Sequence, residues 1–346
     1  MRKTLIAILI LTILLSGCNF PLAGEFSPTV IPISDLLINQ QSKYPVTPTP
    51  FQPIPPTPTP GPPITTGDPG DSTPVGIPLE SSPASPPLLL KPEGQVNILL
   101  LGSDWREGSG YRTDVILLVA LNKTAGTATL LSFPRDLYVE IPGIGMSRIN
   151  AAHPYGGFDL TAATFKNNFG IDIDYYMITN FYGFISIVDT LGGINVNAAR
   201  ALNDLCILPQ AVNDYCYIPA GINHMNGRTA LWYVRARQAS SDFDRTRRAQ
   251  EVLVAIFQKA MSLDALSRGT ELYNLFQSSV ETNIPVGAVL ELLPLGSKML
   301  SDPTLIRRFA IGSEHVSNYI VPGTGAMVLI PNASLVNEVI RQALSQ

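Results

Sequence analysis

Arginine and aspartate recur together in four short blocks: Gly102-Ser103-Asp104-Trp105-Arg106, Arg112-Thr113-Asp114, Phe133-Pro134-Arg135-Asp136, and Tyr233-Val234-Arg235-Ala236-Arg237 with Asp242-Phe243-Asp244-Arg245 after it. Only 14% of the chain is charged, so this clustering is informative. Guanidinium forks bind phosphate oxygens bidentately. Carboxylates recruit Mg²⁺ to the same phosphates. The blocks therefore read as a site for a phosphate-rich ligand.

Each block has a chemical reading and a plainer one. Asp104 and Asp114 flank one connection, and on neighbouring strands both carboxylates reach one cation. Alternatively, Asp114 caps a turn and Asp104 pairs with Arg106 or Arg112. Arg235 and Arg237 share a face on extended chain but diverge by about 200° on a helix. A clamp made from them needs the preceding helix to end near Val234; otherwise they are a solvated pair of charges. Arg245 and Arg248 are spaced to share a helix face at a helix start that favours anions, with Asp242 or Asp244 as cap. Arg247 lies off that face and is expected in solvent. Pro134 stiffens the backbone before Arg135. An Arg135–Asp136 ion pair stays open, although adjacent residues rarely face each other. His153, His224 and His315 have no evident nucleophile beside them, and no Walker-type loop is present, so neither a Ser/His/Asp hydrolase nor a P-loop enzyme is indicated.

These residues need elements to position them. Apolar runs at 96–101 and 115–121 read as buried strands. Residues 127–132 fold back on the second as a hairpin, with a turn at 123–126. Further strands are expected at 137–141, 175–179, 307–311 and 326–330. Helical spacing marks 158–169, 181–191, 226–234, 245–265, 286–293 and 334–344. Strands and helices mix throughout, so the expected class is α/β, a mixed central sheet flanked by helices. The charged blocks then fall at strand ends, where ligands gather in open α/β sheets. The apolar helices 158–169 and 181–191 are either walls for an apolar ligand or plain core.

The chain begins with an export signal. Arg2 and Lys3 precede an apolar stretch, residues 5–15, too short for a membrane span of about 20 residues. Leu15-Ser16-Gly17-Cys18 resembles the bacterial lipobox, which predicts lipidation of Cys18; an ordinary signal peptide is the alternative. Residues 1–18 are thus a lipoprotein signal peptide and the rest lies outside the cytoplasm. Residues 19–91 are Pro/Thr-rich and cannot build a core. They read as a disordered, extended spacer with a reach on the order of 200 Å at most, at ~3.1 Å per residue. Residues 92–346 are long enough for one large domain. Cys206 and Cys216 either close a disulfide in this oxidising compartment or stay as two buried thiols. The net charge of −4 argues against general nucleic-acid affinity.

Taken in order, Asn97 through Asp104, Arg112-Thr113-Asp114, Phe133-Pro134-Arg135-Asp136, Arg148-Ile149-Asn150-Ala151-Ala152, Asp189-Thr190-Leu191-Gly192-Gly193-Ile194, His224-Met225-Asn226-Gly227 and Tyr233-Val234-Arg235-Ala236-Arg237 resemble the LytR–CpsA–Psr family over nearly all of 92–346. The resemblance implies an Mg²⁺-dependent extracytoplasmic phosphotransferase. It would move a glycopolymer from a polyprenyl-pyrophosphate carrier onto peptidoglycan through a phosphodiester link, with the carrier's tail in an apolar tunnel. It places metal-binding carboxylates on Asp104 and Asp114. It places pyrophosphate-binding groups on Arg112, Arg135, Arg235, Arg237, Arg245, Arg248 and Gln250, and catalytic roles on Asp104, Arg237 and Asp242. Two features depart from the family pattern. Ala249-Gln250 stands where Gln-Gln is common, and a lipid on Cys18 replaces the usual transmembrane anchor. The rival readings are a pyrophosphatase acting on the same carrier and a non-catalytic polymer-binding module.

Overall fold

The computed structural model describes residues 88–104, 112–237, 242–262 and 269–345. Cys18, the signal segment, most of the spacer, Trp105 and Arg106 lie outside the described residues.

Fourteen strands and seven α-helices are present among the described residues. The strands are β1 (Gln95–Ser103), β2 (Thr113–Asn122), β3 (Thr127–Phe133), β4 (Tyr138–Ile141), β5 (Gly145–Arg148), β6 (Tyr175–Asn180), β7 (Ile194–Ala198), β8 (Leu202–Leu205), β9 (Tyr215–Ile218), β10 (Gly221–Met225), β11 (Glu281–Thr282), β12 (Ile306–Ala310), β13 (Val316–Ile320) and β14 (Met327–Pro331). The helices are α1 (Ala152–Phe169), α2 (Phe181–Thr190), α3 (Gly227–Arg235), α4 (Asp242–Ala260), α5 (Gly269–Ser279), α6 (Val286–Ser301) and α7 (Ala333–Leu344).

Six strands form the central sheet in the order β11-β6-β1-β2-β3-β12. β1 runs antiparallel to β2 and parallel to β6, and β3 runs parallel to β12, so the sheet is mixed. The expected hairpin is β2–β3, and Gly126 at φ +74° turns it. A positive φ is open to glycine at no steric cost.

The central strands are apolar on both faces because both faces are covered. On one face Leu99, Leu118, Leu131 and Phe133 pack with Phe165 and Phe169 of α1 and with Val336 and Ile340 of α7. On the other, Ile98, Leu117, Val119 and Leu130 meet Val254 of α4 and Leu292 of α6. The class is α/β, with a mixed sheet between helical layers. Phe165 and Phe169 are 0% and 4% exposed and pack edge-on or tilted against Phe133, so that part of α1 is core. α1 is kinked at Gly156–Gly157, where Gly157 takes φ +61°.

A satellite core lies under α3. Val188, Ile194, Val196, Met225, Ala230 and Tyr233 are buried together with Val252 and Ala255 of α4. Cys206 and Cys216 are joined in a disulfide across the β8–β9 hairpin. Among the described residues, packing of the domain begins at Leu89, whose N–H donates to the Gly170 carbonyl at 2.9 Å and whose side chain meets the main core. No helix among the described residues is long and apolar enough to cross a membrane.

Candidate active site

Register brings two charged loops, the β1–β2 connection and the loop after β3, to one end of the sheet. Ser103 pairs with Thr113 on one side and Asn180 on the other, and Ile116 pairs with Phe133. The ends of β1, β3 and β6 and the start of β2 therefore adjoin. Gly102 pairs with Val115 but Ser103 pairs with Thr113, which leaves Asp114 as an extra residue. Such a bulge re-aims a side chain at the rim of a sheet, and here it presents a carboxylate.

Asp114 Oδ1 accepts from Arg135 Nη1 at 2.5 Å, with side-chain exposures of 22% and 19%. Arg135 Nε also lies 3.4 Å from Asp136 Oδ2, so the adjacent pair does meet, at longer range. Asp136 Oδ1 in turn faces Arg148 Nε at 3.2 Å. Asp114, Arg135, Asp136 and Arg148 thus form an alternating ladder. Asp136 and Arg148 were absent from the expected site. The Arg148-Ile149-Asn150 motif was the signal that could have marked Arg148.

Beside the ladder is a small solvent-open cleft, with a cavity volume of about 30 Å³, lined by Asp114, Ser132, Pro134, Arg135, Val234, Arg245 and Thr246 among others. Blocks far apart in the chain therefore converge: β2, the loop after β3, the end of α3 and the start of α4. Asp104 stands across the β1–β2 gap, where its Oδ1 accepts the Arg112 N–H at 2.7 Å and its own N–H donates to the Arg112 carbonyl at 3.1 Å. Both bonds use the Arg112 backbone, one of them to the Asp104 carboxylate. The Arg112 and Arg237 side chains are exposed, and neither has an ion pair or hydrogen bond among the described residues.

Arg235 is the last residue of α3, and Ala236 turns extended at φ −52°, ψ 133°. The helix thus ends one residue past the point the clamp requires. The Arg235 guanidinium carbon lies 4.3 Å from the centre of the Phe181 ring, at the β6–α2 junction. The helix itself is held at its start by Asn226 Oδ1, which accepts from Thr229 N–H, and by Asp189 Oδ1, which accepts from Gly227 N–H at 2.6 Å. A Cβ at Gly227 would sit 2.5 Å from the Ile185 carbonyl oxygen, so only glycine allows this approach of α2 and α3. The Asp189 and Asn226-Gly227 motifs thus build the platform that carries Arg235.

Three placements differ from expectation. Arg248 is 1% exposed, with Nη2 donating to the Ala236 carbonyl at 2.7 Å. Gln250 is 4% exposed, and its amide donates to Ser132 Oγ and the Phe309 carbonyl, both at 2.8 Å. The structure sets both inside the protein, behind the cleft wall. Arg247 is not in open solvent: it pairs with Glu251 at 2.5 Å and with Asp244 at 3.5 Å. The helix-face argument failed because the shared face of α4 packs on α3 and on the sheet. Asp242 opens α4, and its side chain lies outside the described residues.

Asp104 and Asp114 offer the donor chemistry of a hard-cation site. Each uses Oδ1 within the protein, and no protein bond to Oδ2 exists among the described residues. No cluster of three or more His, Cys, Asp or Glu suited to a metal occurs among the described residues. Mg²⁺ bound mainly by water and phosphate oxygens needs only one or two carboxylates, so the residues present fit it.

The protein is thus an α/β domain with a mixed sheet and an arginine- and aspartate-lined cleft at its strand ends. The chain belongs to the LytR_cpsA_psr family, whose model matches residues 75–342. It is 33% identical over 213 residues to the polyisoprenyl-teichoic acid–peptidoglycan teichoic acid transferase TagU of Oceanobacillus iheyensis, covering 59% of this chain and 64% of that protein. It is 34% identical over 210 residues to the corresponding transferase TagT of Bacillus subtilis, covering 59% and 65%. The matches thus span a little under two thirds of these relatives' lengths. Among solved structures, B. subtilis TagV matches with TM-score 0.59 and 26% identity over 73% of this chain and 98% of that one. TagT bound to LIIa-WTA matches with TM-score 0.57 and 28% identity over 73% and 92%.

Proposed function

We propose that this protein is an extracytoplasmic phosphotransferase that moves a glycopolymer from a polyprenyl-pyrophosphate carrier onto peptidoglycan through a phosphodiester link. The observation that carries the reading is the convergence of Asp114, Arg135 and Arg245 on one open cleft, with Arg235 and Arg237 at the end of α3. Support comes from relatives named as polyisoprenyl-teichoic acid–peptidoglycan transferases.

Phosphoryl transfer between oxygens needs positioning and charge neutralisation more than a covalent nucleophile. Arg112 and Arg237, exposed cations with no protein partner among the described residues, are set to take phosphate oxygens. Arg135 is already ion-paired, so its direction is set before a ligand arrives. Arg245 adds a cation at the start of α4. Asp104 and Asp114 would hold Mg²⁺, which when bound would neutralise charge on the pyrophosphate. In this reading Asp104 would accept a proton from the acceptor hydroxyl, with Asp242 as the second candidate for that role.

The test is incubation of the protein with Mg²⁺, a polyprenyl-pyrophosphate glycan and peptidoglycan fragments, followed by mass spectrometry. A phosphodiester-linked glycan–peptidoglycan product supports the reading. Free phosphoglycan alone would establish hydrolysis instead, and recovery of intact, co-eluting substrate would establish binding alone. Arg237→Ala is expected to abolish turnover while leaving the melting temperature unchanged; wild-type turnover in that variant sinks the clamp. Lipidation of Cys18 belongs to the same proposal, because the carrier is membrane-borne. Cys18→Ala is expected to shift the protein from the membrane pellet to the soluble fraction, and retention in the pellet would contradict the lipid anchor.

A further inference from the structure

Arg248 is a costly residue to bury, because a desolvated guanidinium must be compensated by bonds. It is 1% exposed, and burial lowers its pKa below the usual arginine value. Its Nη2 donates to the Ala236 carbonyl at 2.7 Å, and its guanidinium carbon lies 5.7 Å from the centre of the Tyr233 ring. Ala236 is where α3 breaks to extended chain, between Arg235 and Arg237. A carbonyl at a buried helix end needs a partner outside the helix, and Ala236 is 7% exposed.

A second joint ties the same turn to α4. Tyr233 is 0% exposed, and its hydroxyl donates to Glu251 Oε2 at 2.7 Å. Burial, and then the Glu251 carboxylate, push its pKa well above the usual tyrosine value, so the hydroxyl stays a donor. Glu251 Oε1 also accepts from Arg247 Nη1 and from the Ala199 N–H at 3.1 Å. The last turn of α3 is therefore fastened to α4 at Tyr233 and at Ala236.

We infer that Arg248 is a positioning residue: by holding the Ala236 carbonyl it fixes the direction in which Arg235 and Arg237 leave α3, and so their joint grip on a pyrophosphate. The inference rests on the cleft reading above. On a continued helix the two arginines would diverge by about 200°. The extended backbone at Ala236 takes Arg237 off the helix, and the Arg248 bond holds that break in place. Its contribution to affinity is pre-organisation, because a loose turn would have to be ordered by the ligand at a cost in affinity.

The test is calorimetric titration of the full-chain protein with inorganic pyrophosphate. Arg248→Met is expected to weaken binding roughly tenfold, the scale of one charge-assisted hydrogen bond. Arg248→Lys, which keeps one donor for Ala236, is expected to recover part of the loss. The control is Arg307→Met. Arg307 Nη2 bonds Thr129 Oγ1 at 2.9 Å and the Ala343 carbonyl at 3.1 Å, joining β3 to α7. That variant is expected to lower the melting temperature without changing pyrophosphate affinity. In an Arg235→Ala/Arg237→Ala background, Arg248→Met is expected to have no further effect.

Wild-type affinity in Arg248→Met overturns the inference. So does a loss that persists in the double-alanine background, because Arg248 would then act on its own. Wild-type affinity in the double-alanine protein itself overturns the cleft reading, and the positioning role with it. If Arg248→Met does not fold, Tyr233→Phe takes its place, with a smaller expected loss and the same overturning result.

Discussion

Residue identity was a poor guide to depth. Arg112, Arg135, Arg235, Arg237 and Arg245 read as candidate anion ligands because five cations in short blocks are hard to explain as scattered surface charge, and the structure brings Arg135 and Arg245 to one cleft. Arg248 and Gln250 carry the same side-chain chemistry, and nothing in a single chain says that they turn inward. Asp114 was legible as a carboxylate near a strand start, but the bulge that aims it depends on register with β1. His153 shows burial with a measurable consequence. It is 4% exposed, and desolvation lowers its pKa below 6.5 against the opposing pull of Glu281. The unfolded chain then binds more protons than the folded one as pH falls through that range, so this histidine subtracts stability on acidification. His153→Phe is expected to lose less stability than wild type between pH 7 and pH about 5.5. Equal losses in urea titrations at the two pH values would contradict the buried neutral imidazole.

At the scale of elements, what was legible is what is buried on two sides. β1, β2 and β3 are continuous apolar runs because helices cover both faces of the sheet, and their expected bounds match within one or two residues. The satellite strands β7 to β10 were missed. Each is four or five residues long, and polar Asn195, Asn197 and Asn203 or exposed Tyr215 and Tyr217 interrupt the apolar pattern. Their role is positional, because they complete the core on which α3 rests. Capping offers a test of that role. Asn226 caps α3 and Asn332 caps α7. Alanine at either is expected to cost about 1 kcal/mol in urea denaturation. Only Asn226→Ala is expected to lower transfer activity as well, since α3 carries Arg235. Equal activity in the two variants would detach α3 from the site.

For the whole molecule, one sheet end carries the chemistry and the other receives the chain. Leu89 enters beside Gly170, and Lys91 pairs with Asp174 at 2.5 Å, next to the starts of β1 and β6. The cleft lies at the far ends of those strands. β1 has nine residues, which at ~3.3 Å each separates entry from cleft by roughly 30 Å. The chain therefore enters the domain at the sheet end opposite the cleft. If residues 19–87 tether the domain to a bilayer, as the proposed lipid anchor requires, then on a taut tether the cleft would look outward to the wall, and a carrier lying in the membrane would be out of reach. The slack needed to turn the mouth back is about that same 30 Å, or roughly ten extended residues at ~3.1 Å each. Stepwise shortening of residues 19–87 is thus expected to leave transfer from vesicle-borne carrier intact until about ten residues remain, and then to abolish it. Transfer from detergent-solubilised carrier should not change at any length. A gradual decline on both substrates would mean that the spacer supports the fold; an abrupt threshold on vesicles alone would make it a leash whose length decides which way the enzyme can face.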